Sequence, residues 1–525
     1  MNLRKLLCLI MVLALAFTLM LTGCQKETTD VPGDEAVDQP SGDDAAEAPA
    51  EQGDGSAYNW TADDIAEPVE LSWYVIGATE QEDQDMVEEE INAYLTDKIN
   101  ATVDIIFMDY DPYQDNVGTY LAGGEKIDIC FTSSWARNPG YQQFASDGMF
   151  VGLNDYMAEG GILEGTAKIL GEDFLSGSRI DGVNYAIPCN KEKAHNWGFL
   201  FRKDIVEDLS LDIQSVDSLE ALEPLLAAVH EAYPEMIPLV TATGESCYRL
   251  LDWNIIASDD IPGAMYPDDR DSKIINQFAM PETEAYYRTM QSYYDAGYVR
   301  KDADTYSDWN SDMSSGQGFC VSQSMKPGKD VEYSQGDKNY DYVQVDVTPA
   351  VRSNRETTGS MMAIPVNSEN PDRAAMLLEI ANTDKYLNNL LNFGVEGYHF
   401  TKVSDNIIEL SKENTGWRPN IAWVFPNQFM NYVMSNEDPD KFVNFEAYNQ
   451  AARPLNNFGF MFNSADVTNE ISSLQAVANE YTPILNAGSG DVDTLLPEFL
   501  AELDAAGVDT VIAEMQAQYD AWLAE

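Results

Sequence analysis

The sequence predicts an α/β protein in which helices cover a largely parallel sheet. Three observations lead there. Between residues 71 and 131, short apolar strand patterns alternate with helical ones. Further on, extended segments recur at 185–189, 342–351 and 361–365, with helical stretches between them. The chain is also long: 525 residues, 44% hydrophobic and 11% aromatic, enough for two or three domains with large cores.

The first strand is Leu71-Ser72-Trp73-Tyr74-Val75-Ile76, closed by Gly77. Residues 81–99 place Met86, Val87, Ile91, Tyr94, Leu95 and Ile99 along one helical face. Residues 101–108 read as a second strand, 113–121 as a helix and 127–131 as a third strand. Right-handed crossovers make these strands parallel. Ligands of such sheets sit beyond the carboxyl ends of the strands. That rule puts Gly77 and the run Thr132-Ser133-Ser134-Trp135 at the edge of a binding site. From Leu200-Phe201-Arg202-Lys203-Asp204 a mainly helical stretch is expected to about residue 298. Asn370-Pro371 opens another helix, with Asn as N-cap and Pro in its first turn. The last helix carries the packing stripe Val508, Ile512, Met515, Tyr519 and Trp522.

Charge narrows the function. The chain has 30 basic and 89 acidic residues, a net charge of −59. Phosphate backbones and anionic membranes are held by clustered Lys and Arg, so nucleic-acid binding and a polybasic membrane footprint are excluded. Residues 6–21 form an uninterrupted apolar run behind Arg4 and Lys5, shorter than the roughly 20 residues of a membrane span. It ends in Leu21-Thr22-Gly23-Cys24, which resembles the lipobox of bacterial lipoproteins. That resemblance implies cleavage after residue 23, lipidation of Cys24, and a chain anchored on the extracytoplasmic face of the cell membrane. Residues 24–66, rich in Asp, Glu, Ala, Gly and Pro, read as a disordered acidic tether.

Chemistry-bearing motifs are sparse. Cys130, Cys189, Cys247 and Cys320 are far apart and read as free, mostly buried thiols, with one or two disulfides left open in an exported chain. His195, His230 and His399 form no metal-binding motif, and the chain has no G-x-S-x-G, H-E-x-x-H or phosphate-binding loop. No metal or other cofactor is expected. Carboxylates are so many that a pair at glycosidase spacing carries no information.

In order along the chain, the lipobox, the strand at 71–76 and the run Phe201-Arg202-Lys203-Asp204 resemble an extracellular solute-binding lipoprotein of an ABC importer. So do Tyr293-Tyr294-Asp295-Ala296-Gly297-Tyr298, Ser324-Met325-Lys326-Pro327-Gly328, and Asn392-Phe393-Gly394-Val395-Glu396-Gly397-Tyr398-His399. From about Gly416 the chain resembles a domain of unknown function (DUF3502), through Phe458-Gly459-Phe460 and Leu495-Leu496-Pro497-Glu498-Phe499. The resemblance implies a two-lobed type II binding fold with hinge crossovers and a helical C-terminal extension. Lobe 1 is expected at 67–187 plus 358–400, and lobe 2 at 190–350 plus 401–525. It implies no enzymatic activity, a small-molecule ligand with sugars favoured, and importer membrane subunits as partners. A peptide ligand and a sensor role remain as alternatives, with an exported glycoside hydrolase behind them. The expected ligand-facing residues are Trp135 just past a strand end, Trp197, Asn190 and Glu192 at or soon after the first crossover, and Glu396 with Tyr398 where the chain crosses again. Lys326 is expected to face solvent, and Trp417 and Trp423 to be packing or rim residues.

Overall fold

The structure is a computed structural model that describes residues 58–524, apart from 269 and 337–338. The apolar leader, Cys24 and the acidic tether to residue 57 lie outside the described residues.

Strand β1 (Val69–Ile76) is followed by helix α1 (Gln84–Ile99), strand β2 (Ala101–Met108), helix α2 (Tyr110–Ala122) and strand β3 (Ile129–Thr132). Helix α1 buries Val87, Ile91, Leu95 and Ile99, a four-residue repeat that keeps one face on the sheet. It ends where Asn100 adopts a left-handed conformation with its N–H on Thr96 O. Strand β1 pairs in parallel with both β2 and β3, and Trp73 sits in register with Ile105 and Ile129. Trp73 is fully buried, because alternate residues of β1 face the core.

The chain continues through β4 (Ala186–Pro188), β5 (Asn196–Arg202), β6 (Ile237–Val240), helix α3 (Pro281–Asp295), β7 (Gly318–Met325), β8 (Tyr342–Asp346), β9 (Met361–Ala363) and helix α4 (Pro371–Thr383). Helices α5 (Thr468–Ala487), α6 (Val492–Ala506) and α7 (Val508–Leu523) close it. The two largest sheets among the described residues are ordered β2-β1-β3-β9-β4 and β8-β5-β7-β6. Each has its own main core. The first runs from Leu71 to Ile187 and from Met361 to Phe425; the second joins residues 199–345 to the C-terminal helices 460–519. The chain crosses between lobes after β4, after β8, and again between residues 434 and 460.

Several expectations are corrected here. Phe201 and Arg202 end strand β5 and do not begin a helix, and β6 interrupts the expected helical stretch. Strand β5 is buried at every position, so it has no alternation to reveal it, and periodicity cannot tell such a run from a buried helix turn. Its Gly198 is demanded by packing: a Cβ there would lie 2.0 Å from Val345 O on β8. Strand β7 passed unread for the same reason, with seven of its eight residues buried. Residues 401–434 belong with lobe 1 rather than lobe 2. Trp417, Ile421, Val424 and Phe425 are in the first core, and Phe400 packs on Phe393. Asn370 precedes α4 but makes no side-chain cap. In the last helix Val508, Val511, Met515 and Tyr519 are buried, so the stripe turns slightly from the predicted one.

Candidate functional site

The carboxyl ends of β1, β2 and β3 lead into Gly77, Tyr110 and Trp135 respectively. These residues meet Trp423, carried in from the first core's last segment, in an aromatic wall. Tyr110 and Trp423 are parallel within 6°, with centroids 6.3 Å apart. Trp135 lies 6.1 Å from Trp423 and 6.3 Å from Tyr110, and Phe131 backs both tryptophans. Gly77, at φ +89, lets Tyr110 approach: a Cβ would stand 3.3 Å from its ring. Trp135 is anchored by its indole N–H, which donates to Gly359 O at 2.7 Å on the second crossover. Tyr110 and Trp135 are 43% and 37% exposed, so their faces are open to a ligand.

The second lobe answers with charged pairs. After β6, Glu245 accepts from Arg249 at 2.8 Å. On the second crossover, Arg355 holds Asp259 through two bonds of 2.8 and 2.9 Å. Both guanidinium carbons lie 5.3 Å from the centre of the Trp197 ring, near the start of β5. Burial pushes the Tyr110 phenol up to about 12, and Asp109 and then Glu245 add to the shift. Tyr110 is 43% exposed, so solvent screens these effects and burial of the ring is only partial. Burial would raise Asp259 as well, but Arg355 overrides it and holds the carboxyl at about 2. For Glu245 burial prevails, and its carboxyl is raised despite Arg249.

Behind this cleft lies a buried ionic network. Lys191 of the first crossover bonds Glu356 of the second at 2.9 Å. His195 stands 3.3 Å from Glu356 and 3.5 Å from Asp252. Lys326 bonds Glu332 at 2.9 Å and lies 3.5 Å from Glu192. These contacts fasten two crossovers to lobe 2. Burial would lower the His195 pKa; the bonds to Asp252 and Glu356 outweigh it and hold the imidazolium up at about 9. The folded value lies above the ordinary 6.5, so this stabilisation is complete below 6.5 and is lost as pH rises through about 9. The melting temperature should fall across that window, and should fall less in His195→Gln. Parallel curves for the two proteins would contradict the assignment.

Of the expected ligand-facing residues, Gly77 and Trp135 stand at the aromatic wall, whereas Trp197 is 5% exposed and packs under Arg249 and Arg355. Thr132 and Ser133 are adjacent in sequence but fully buried: Thr132 donates to Pro139 O, and Ser133 caps the turn at Ala136. The Asn190 side-chain amide donates to the Asn427 side chain at 2.9 Å, while its backbone pairs with Pro426 O and Gln428 N–H. Glu192 belongs to the ionic network. Glu396 is exposed and paired with Lys402 at 2.8 Å, and no contact joins it or Tyr398 to the aromatic wall. His399 is fully buried, with Nε2 3.2 Å from Asp83. Lys326 is 6% exposed and does not face solvent. Sequence reasoning missed Tyr110, Trp423, Glu245, Arg249, Asp259 and Arg355. Tyr110 was within reach of the strand-end rule, since β2 stops two residues before it; the others lie on loops and short helical turns, such as 247–251 and 354–357, whose tertiary placement has no local signature. Cys130, Cys189, Cys247 and Cys320 are free and buried.

Among the described residues no group of His, Cys, Asp or Glu is placed to hold a metal ion. No helix among them is long and apolar enough to cross a membrane. Two surface hollows flank α7, lined in part by Asp466, Asp509 and Glu514 and by Lys273, Ile512 and Asp520; no aromatic ring lines either.

Residues 90–399 match a family described as bacterial extracellular solute-binding protein. Residues 456–524 match a domain of unknown function (DUF3502), which thus begins some 40 residues later than its expected start near Gly416. A carbohydrate ABC transporter substrate-binding protein of Streptococcus pneumoniae serotype 4 is 26% identical over 476 residues, covering 88% of this chain and 92% of its own. The crystal structure of the N-glycan transport solute-binding protein NgtS from Streptococcus pneumoniae, in complex with Man1GlcNAc, superimposes with a TM-score of 0.78 at 24% identity. It covers 87% of this chain and 100% of its own. The alginate-binding protein AlgQ2 gives a TM-score of 0.59 at 14% identity, over 86% of this chain and 98% of its own.

Proposed function

Because this chain belongs to the bacterial extracellular solute-binding proteins, we propose that it captures an oligosaccharide between its two lobes and presents it to the membrane subunits of an ABC importer. The fold is the two-lobed type II binding fold with a C-terminal helical extension. The observation that carries the sugar reading is the aromatic wall of Tyr110, Trp135 and Trp423 opposite paired charges. Aromatic faces stack on the apolar faces of pyranose rings, while carboxylates and guanidinium groups bond the hydroxyls. The naming of its relatives for carbohydrate and N-glycan transport supports the same class.

Capture works as a population shift. A ligand that touches both walls binds the closed form better and moves the equilibrium by that difference. No covalent step is required, and ATP hydrolysis belongs to a separate subunit. The chain is read as a binding protein and not as an enzyme, since Glu245 and Asp259 are both engaged by arginines.

We also read it as held at the outer membrane face through Cys24. Cys24→Ala should abolish lipid attachment, checked by labelling cells with a radioactive fatty acid. Continued labelling of the variant would remove the anchor.

The melting temperature of the full-length chain, measured against panels of neutral glycans and of peptides, tests the ligand class. A ligand at 100 times its Kd adds about 2.7 kcal/mol, a rise of a few degrees for a body this size. Glycans should raise it and be recovered intact. Stabilisation by peptides alone would overturn the sugar reading, and hydrolysis of the glycan would overturn the non-enzyme reading and point to Glu245.

A further inference from the structure

The C-terminal helices have no assigned role. They pack on lobe 2: Phe499 of α6 lies 5.1 Å from Phe278, and the turn after α5 approaches α3 so closely that a Cβ on Gly488 would stand 2.2 Å from Met290 O. The loop that leads into them goes elsewhere. Residues 457–463 are fixed from behind by α7, where the Gln518 amide makes two 2.9 Å bonds to the backbone of Asn463. Phe460 packs 5.2 Å from Tyr519 and 5.9 Å from Trp522. The same loop then touches every part of the body that moves in a hinge closure. Asn457 accepts from Asn254 of lobe 2 at 2.7 Å. Gly459 N–H donates to Asn354 of the second crossover at 2.8 Å. On lobe 1, Asn463 donates to Asp181 at 2.8 Å, Gln142 donates to Phe462 O, and Met461 packs against the first core.

We propose that the C-terminal domain is an interlobe strap: its loop, carried rigidly by lobe 2, latches onto lobe 1 at Gln142, Asp181 and the Met461 pocket and so favours closure. The proposal rests on the reading that the lobes close around a ligand. Asn354 lies on a crossover, so its bond can survive rotation about the hinge. Gln142 and Asp181 lie on neither crossover. Their bonds join lobe 1 to the loop at the end of the third crossover and, under this proposal, lengthen or break when the lobes part. The strap is intact in this structure. It contributes to affinity without touching ligand, by raising the fraction of binding-competent protein.

The test uses the full-length chain with spin labels at Glu90→Cys on lobe 1 and Glu231→Cys on lobe 2, both exposed positions; the four native thiols of the body are buried. Interlobe distances are measured without ligand by pulsed electron resonance. Asp181→Ala, and separately Gln518→Ala, should shift the distribution to longer distances and weaken binding of a Man5GlcNAc probe by about two- to tenfold, the loss expected of one or two hydrogen bonds. Asp181→Asn, which can still bond Asn463, should keep the wild-type distances; because Asp181 sits at φ +49, which Asn tolerates better than Ala, Gln518→Ala is the arm that separates the strap from backbone strain. Unchanged distances in folded Asp181→Ala and Gln518→Ala would overturn the proposal. The distances need no ligand. Lengthened distances with no glycan bound by the wild type would sustain the strap and sink the sugar reading, whereas normal glycan binding with unmoved distances would do the reverse.

Discussion

Trp423→Ala should weaken glycan binding by about 1–3 kcal/mol, the range for a desolvated aromatic anchor. The ring is half-buried, parallel to Tyr110, and packed against Phe131 at 5.8 Å and Trp135 at 6.1 Å. Its removal takes away one stacking face and lets two others tilt. Titration calorimetry with a neutral oligosaccharide measures the loss. Trp423→Phe should recover part of it, because a smaller π-face remains. Trp135→Ala should lose a similar amount, with an added cost from freeing Gly359 O on the crossover. Unchanged affinity in both alanine variants would remove the aromatic wall from the site.

Glu356→Gln should cost about 3–5 kcal/mol of stability, the penalty for removing one partner of a buried ion pair. The Glu356 side chain is 11% exposed and faces both Lys191 and His195. Burial favours its protonated form, yet Lys191 and His195 hold its carboxyl far below the usual range. Taking away the charge removes the nearer counter-ion of two buried cations and leaves only the longer contacts, Glu192 to Lys191 and Asp252 to His195, both at 3.5 Å. The His195 pKa should then fall from about 9, a change that imidazole resonances followed by NMR against pH would report. Chemical denaturation gives the stability. A variant as stable as the wild type, with His195 titrating unchanged, would contradict the network. Ligand affinity at the aromatic wall should change less than stability does, since Glu356 lies behind the cleft.

The first lobe was legible because its elements obey simple periods. The four-residue repeat of α1 and the alternation of β1 appear in the structure within a few residues of their predicted bounds. The second lobe was harder for a physical reason. Strands β5 and β7 are buried on both faces, and two-sided burial erases the period that marks a strand. The site shows the same division. Gly77 and Trp135 entered the candidate site because the ends of parallel strands can be located from local pattern. Thr132 and Ser133 came along with them, but the side chain of each satisfies the turn itself. Trp423 and Arg355 depend on tertiary return: one comes back from the far end of the first core, the other sits on a four-residue helix within a crossover. The ionic network was invisible in a chain so rich in carboxylates, because only spatial pairing sets Glu356 and Glu192 apart from the other acids.

The most direct test is a structure of the full-length chain crystallised with a neutral mannose–N-acetylglucosamine oligosaccharide. A sugar ring stacked on Trp423, Trp135 or Tyr110, with its hydroxyls reaching Glu245, Arg249 or Arg355, is the predicted result. Sugar bound instead in the hollows beside α7, with the cleft between the lobes empty, would contradict the account.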